Sequence, residues 1–341
     1  APFPNPTNTT NLTPEFLFFP VTEYLKVPGI EAVARVGSYP VMAMFSTGGS
    51  VNGRFYGVDR LEFTRVAYWR RDFARVPLAA LMNALGAVPE GILVPRNFLT
   101  SRGLREGDTL ELTVSTDIGR AQILTKIVGS FDLFPTWYEE EDGPLLVGNL
   151  DYVFDQAGGQ SPYRVWVKAE KGLDYTKIGD FELRELNFRV TSWDASTPQI
   201  TAIQQRPEQQ GVFGFLFIGF VAAAILTVVG FLLYALFSYQ RRFIELGVLR
   251  AGGLSRGQMA TYLAFELLFL VLVGGAVGSG LGTWISRQFI PSLQIGEKIT
   301  DRIPPFRVII AWPAIYQIYA LLGILFLITL IVLVILLQRM K

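Results

Sequence analysis

Neither cysteine nor histidine occurs in the 341 residues of this chain. Their absence excludes disulfides, thiol catalysis, Cys/His metal centres and a Ser-His-Asp triad. A cysteine-free extracytoplasmic domain suits a bacterium or archaeon better than a disulfide-stapled eukaryotic one. Excess charge is also missing. The net charge is +1, whereas a nucleic-acid binder needs a basic face, so nucleic acid is not an expected partner. No nucleotide-binding loop of the G-x-x-x-x-G-K-[ST] type occurs, and GGSVNGRF (48–55) lacks the lysine. The chain is therefore not expected to be an ATPase, or any enzyme, on its own, and no cofactor is expected. The opening APFPNPTNTTNLTP has no initiator Met and no signal-peptide pattern. It predicts an extended lead-in with something upstream removed or left out. The sequons at Asn8 and Asn11 carry little weight in a prokaryote.

Apolar residues make up half of the chain, but they are unevenly spread. The first two hundred residues have ordinary globular composition, with short apolar runs between turn signals. They predict strands at LKVPGIEAVARV (25–36), YPVMAMF (39–45) and RFYGV (54–58), with Gly37, Gly48, Gly49 and Gly53 as punctuation. A short helix is expected within 15–26. PLAALMNALG (77–86) reads as a helix started at Pro77 and stopped at Gly86. In GILVPRNFLTSRGLREGDTLELTV (91–114), a strand is followed by a helical turn closed by Gly103, then a Gly107-Asp108 turn and a second strand. Further strands are expected at 121–131, 144–150, 163–169 and 188–194. Strands interleaved with short helices predict an α+β domain over 1–211, large enough for its own core. The polar segment 197–211 turns helical at its end.

The remainder, 212–341, is predicted to be an all-α transmembrane domain of three helices. Residues 212–237 and 312–337 hold no charged side chain, and 260–285 hold only Glu266. At 1.5 Å per residue each run reaches roughly 39 Å, enough for a ~30 Å hydrocarbon core. Arg241, Arg242, Arg250 and Arg256 cluster between the first two runs, and Arg339 and Lys341 follow the third. By the positive-inside rule both places are cytoplasmic, which puts 1–211 outside a prokaryotic inner or plasma membrane and the C-terminus inside. Membrane lipid is the expected surroundings of the three helices.

Few residues suggest chemistry. The acids Glu139, Glu140, Glu141 and Asp142 match no cation-binding loop and read as a solvated turn, so no metal site is expected. Asp59, Asp108 and Asp132 read as turn residues. Within the second span Gly274, Gly278 and Gly282 repeat GxxxG twice, which allows close helix approach. Packing against the first or third span is favoured slightly over an oligomer seam. Glu266 is the one acid inside a span: either a functional carboxylate, or a residue near enough to the helix start to reach the interface.

The segment between the first two spans, SYQRRFIELGVLRAGGLSRGQM (238–259), joins them as a topological anchor or serves as a docking element. Residues 239–250 have the composition of an interfacial amphipathic helix. Gly252 and Gly253 break it, and Ser255 with Gln258 forms a capping-box pattern opening the second span. With FELLFLVLVGGAVGSGLG after it, this segment resembles the FtsX-like (MacB-type) permease domain of ABC transporters. The resemblance is carried by Arg242, Glu245, Gly247, Leu249, Arg250, Ala251, Gly253, Ser255 and Gln258, then Glu266, Gly274, Gly275 and Gly278. It spans 212–341, and VPGIEAVARV and VPRNFLTSRGLREGDTLEL are similar, less specifically, to the extracytoplasmic domain of such permeases. It implies a permease subunit coupling ATP hydrolysis by a separate cytoplasmic ATPase to movement of the extracytoplasmic domain, in extrusion, lipoprotein release or mechanotransmission. It further implies that Arg241, Arg242, Glu245, Leu246, Leu249 and Arg250 meet that ATPase, with Gly252 and Gly253 as a joint. The usual module has four spans. A second permease copy or a paralogous chain is then expected to supply the first. The rival reading is a non-transporting, membrane-anchored structural or binding subunit of a larger complex.

Overall fold

A cross-strand pair of glycines organises the N-terminal part of the protein. In the computed structural model, which describes residues 18–45, 48–170, 172–173, 194–241, 248, 251–253, 255–293, 304–305 and 307–339, strand β1 (Ile30–Met44) pairs antiparallel with β2 (Ser50–Val58), and Gly37 lies opposite Gly57. A Cβ at either position would come within 2.7 Å of the Leu150 side chain. The two glycines leave a notch that Leu150 fills, fully buried. Gly37 therefore serves close packing, not a turn. The two strands expected at 25–36 and 39–45 are one continuous strand.

The other strands are β3 (Gly91–Pro95), β4 (Thr109–Ser115), β5 (Arg120–Phe131), β6 (Leu145–Asn149) and β7 (Arg164–Ala169). The sheet runs β2-β6-β3-β5-β4-β1-β7, and β2 also pairs with β1. Six strands thus close into a ring, with β7 added to the first half of β1. Pairings are mixed: β2–β6 and β3–β5 are parallel, the rest antiparallel. Closure gives each of the six ring strands a neighbour on both sides, and β7 is the edge strand.

Alternation along each ring strand sends one set of side chains inward. Val41, Ile92, Leu112, Ile123 and Leu146 come from five different strands and form one buried cluster. Helices α3 (Arg96–Arg102) and α5 (Leu150–Ala157) add Phe98, Leu99, Val153 and Phe154 to it. Helices α1 (Arg60–Val66) and α2 (Leu78–Ala87) pack on the other face. The buried positions of α2 are Leu78, Leu81, Met82 and Leu85, one face of a helix. A second cluster there is aromatic: Phe63 stacks on Phe134 at 5.7 Å, and Phe131 meets Trp137 edge-on at 5.9 Å. A register shift between β3 and β5 next to Val128 moves Phe131 to this face. Each such ring contributes about 1.5–3 kcal/mol by leaving water.

The expected helix within 15–26 is a short 3-10 turn, Val21–Lys26, and Gly86 lies inside α2, which ends one residue later. Gly103 closes α3 with φ +67°, as its position predicts. Helices α1 and α5 were not expected. Most of the strand expected at 188–194 lies outside the described residues.

The acids at 139–142 form a single helical turn, α4 (Glu139–Asp142). Asp142 pairs with Arg54 at 2.9 Å, and Asn97 donates to Glu139. Asp132 is held by Arg96 at 2.7 Å. Asp108 accepts from the Arg105 amide at 2.8 Å before β4, a true turn. Asp59 does more than turn the chain. Arg35 Nε and Nη2 donate to its two oxygens at 2.8 and 2.7 Å, and Arg35 Nη2 also reaches Asp151 at 3.0 Å. Burial lowers the Arg35 pKa, but the bonds and charges of Asp59 and Asp151 outweigh it and hold the guanidinium above its ordinary value. Tyr39, donating to the Pro162 carbonyl at 2.9 Å, is pushed well above the ordinary tyrosine range by burial.

The chain divides into two compact units, Ala1–Asp194 and Ala195–Lys341. The first is the mixed α/β unit just described. The second begins with α6 (Ser196–Gln204) and carries three long apolar helices: α7 (Pro207–Arg241), α8 (Arg256–Phe289) and α9 (Trp312–Arg339). Each is long and apolar enough to cross a membrane, over Gln210–Tyr234, Gly257–Phe289 and Trp312–Val332.

Candidate functional site

The connection between the first two spans ends in a defined piece of backbone. Gly252 donates to the Val248 carbonyl at 3.0 Å, a last helical bond. Gly253 then takes φ +94°, a left-handed conformation that glycine adopts without a Cβ penalty and that commonly ends helices. Ser255 follows in extended backbone and caps α8. Its hydroxyl accepts from the Gln258 amide at 3.3 Å, while its own amide donates to Gln258 Oε1 at 2.9 Å. This is the reciprocal capping box that the spacing predicts. It satisfies backbone donors at a helix start and fixes where the second span begins. Of the cluster expected to meet an ATPase, Arg242, Glu245, Leu246, Leu249 and Arg250 lie outside the described residues. Arg241 is the last residue of α7.

Within the spans, several contacts are made by polar side chains. Tyr234 of α7 donates to Glu266 Oε1 of α8 at 3.0 Å. The expected acid therefore has a partner on the neighbouring span. On α8 the least exposed positions include Leu267, Val271, Gly275, Ser279, Thr283 and Ser286, a stripe at three- and four-residue spacing. Tyr319 of α9 meets this stripe: its hydroxyl bonds Ser279 and lies 3.4 Å from the Gly275 carbonyl oxygen. A Cβ on Gly275 would stand 3.5 Å from the Tyr319 ring.

Gly274, Gly278 and Gly282 are exposed, and a Cβ on any of them would meet nothing within 4 Å. Among the described residues the close approach falls at Gly275 and Ser279, one residue along from the GxxxG series. A one-residue step turns a helix by about 100°, so the two sets of positions lie on different faces of α8. Sequence reasoning missed Tyr234, Ser279 and Tyr319. A tyrosine inside an apolar run is a usable signal, since its hydroxyl needs a partner away from water.

Aromatic side chains mark the span ends. Trp284 and Phe289 lie in the last part of α8, and Trp312 and Tyr316 open α9; all four are exposed. That is where membrane-interface belts form.

Residues 216–341 match the family described as FtsX-like permease C-terminal. No curated protein matches the chain. Among solved structures, the extracellular domain of the noncanonic ABC-type transporter YknZ from Gram-positive bacteria is similar at 10% identity and a TM-score of 0.34. That likeness covers 47% of this chain and 75% of the other. The periplasmic region of MacB from Actinobacillus actinomycetemcomitans is similar at 10% identity and a TM-score of 0.36, covering 54% and 81%.

Proposed function

We propose that the chain, whose residues 216–341 match the FtsX-like permease C-terminal family, is an ABC transporter permease subunit that couples ATP hydrolysis on a separate cytoplasmic ATPase to movement of its extracytoplasmic domain. The observation that carries this reading is the family match. It takes in most of the first span, the arginine-bearing connection, the capped second span and the third.

In this reading the N-terminal unit lies outside the inner or plasma membrane and the C-terminus inside. Arg241, Arg242, Glu245, Leu246, Leu249 and Arg250 contact the ATPase. Arginines there supply bidentate, always-charged donors for carboxylates on a partner, and the leucines a small apolar anchor. Gly252 and Gly253 act as a joint between that contact and the second span. The capping box bears on the same point: a helix whose start is fixed by two hydrogen bonds responds as a rod to a displacement below it. The exposed glycines Gly274, Gly278 and Gly282 then suit a helix from a second permease copy or a paralogous chain. The resemblance extends to extrusion, lipoprotein release or mechanotransmission as the output.

Purification of the untagged native assembly in mild detergent tests the reading. An ATP-hydrolysing subunit in stoichiometric amount supports it. A stable complex containing no ATPase contradicts it and fits a structural or binding subunit instead.

A further inference from the structure

A hydrogen bond between the first two spans involves the one acid inside a span. Tyr234 lies seven residues before the end of α7 at Arg241, and Glu266 ten residues after the start of α8 at Arg256. At 1.5 Å per residue those offsets are about 10 and 15 Å, so the bond sits two to three turns along from the connection 242–255. The Tyr234 hydroxyl bridges the two spans there at 3.0 Å.

From this placement we infer that Tyr234 and Glu266 form an intramembrane clamp that holds the first two spans as one unit just above the connection. Hydrocarbon offers neither group a water partner, so the protein must supply one, and an acid in a span is otherwise costly. Met259 and Leu267 of α8 are buried, but most apolar side chains around the clamp face outward. Leu226, Val229, Leu233 and Phe237 of α7, and Tyr262, Phe265 and Phe269 of α8, are all exposed. Lipid-facing apolar groups add no hydrophobic drive between helices, which leaves polar contacts to set register. Under the permease reading proposed above, on which this step rests, a displacement at the connection moves both spans together. Without the clamp the two helices splay and the displacement is dissipated. Tyr234 and Glu266 are positioning residues in this scheme.

The absence of native cysteine allows a direct measurement on the full chain. Phe237→Cys and Tyr262→Cys, at exposed positions between the clamp and the connection, would carry a pair of spin labels in lipid nanodiscs. The parent pair is expected to give a narrow distance distribution. Tyr234→Phe and Glu266→Leu should each broaden it, and the two combined no further than either alone. Glu266→Gln keeps an acceptor oxygen and should keep the narrow distribution. Unchanged distributions in Tyr234→Phe and Glu266→Leu would overturn the clamp. In the assembly with its co-purified ATPase, Tyr234→Phe should lower stimulated hydrolysis roughly tenfold, a typical coupling factor, with the ATPase still bound. If the parent chain brings down no ATPase while the distances behave as expected, the permease reading fails and the clamp stands.

Discussion

The two units of this chain bury apolar side chains in opposite ways. In the N-terminal unit Phe63, Phe131 and Leu150 are fully buried, and two clusters fill a closed ring of strands and the layer outside it. In the C-terminal unit the apolar windows of the three helices are 0%, 6% and 6% buried. The chemistry of the side chains is similar; the solvent is not. Water drives the first set together, whereas lipid is as apolar as leucine and leaves the second set facing outward. Polar contacts such as Tyr234–Glu266 and Tyr319–Ser279 link the spans. Glycines divide the same way. Gly53 has no room for a Cβ, which would lie 2.2 Å from the Pro144 carbonyl oxygen, while Gly278 has open space.

Paired substitutions break or sharpen this contrast. The largest effect is expected from Phe131→Ala, which empties a packed aromatic site and should cost about 3–5 kcal/mol in thermal unfolding of the solubilised chain. Its counterpart Phe265→Ala, at 65% exposure, should change stability by less than about 1 kcal/mol. Equal losses at the two sites would mean that the spans possess a packed core of their own. Next, Gly53→Ala should cost about 1–3 kcal/mol by forcing backbone apart. Gly278→Ala should leave the chain as stable or gain up to ~1 kcal/mol of helix propensity. A smaller effect is expected from Ser255→Ala, which removes half of the capping box and should cost about 1 kcal/mol, read as fraying at the start of α8 by hydrogen exchange.

A pH dependence follows from Tyr39. Its folded pKa is raised above the unfolded value of about 10, so the folded chain keeps a proton that the unfolded chain releases. Stability from this group is full below about pH 10 and falls as pH rises above it. Tyr39→Phe should flatten the alkaline slope of unfolding curves.

How much of this is legible in the sequence differs between the units for the same physical reason. An uninterrupted apolar run identifies a span with no knowledge of its neighbours, and the capping box is local, so Ser255 and Gln258 can be read three residues apart. Strand positions in the N-terminal unit also follow from alternation. What escapes is long-range. Arg35 meets Asp59 and Asp151 across 24 and 116 residues, and no local pattern announces that. Gly37 looks like a turn until Leu150 is seen beside it. Helix α1 buries only Phe63, too little to show a period. For α5 a signal was present: Asn149 caps it, accepting from the Asp151 amide at 3.1 Å, and Gly158 ends it with φ +84°. In the spans, apolar composition hides which face is inward, so the GxxxG series does not single out Gly275 and Ser279 beside it.

In the proposed reading the connection between the first two spans docks an ATPase. Reversing both charges in Arg242→Glu/Glu245→Arg, then measuring co-purified ATPase and its stimulated hydrolysis, tests it most directly. ATPase recovery or stimulation should be abolished while the chain remains in the membrane. An ATPase that stays bound and fully stimulated would contradict it.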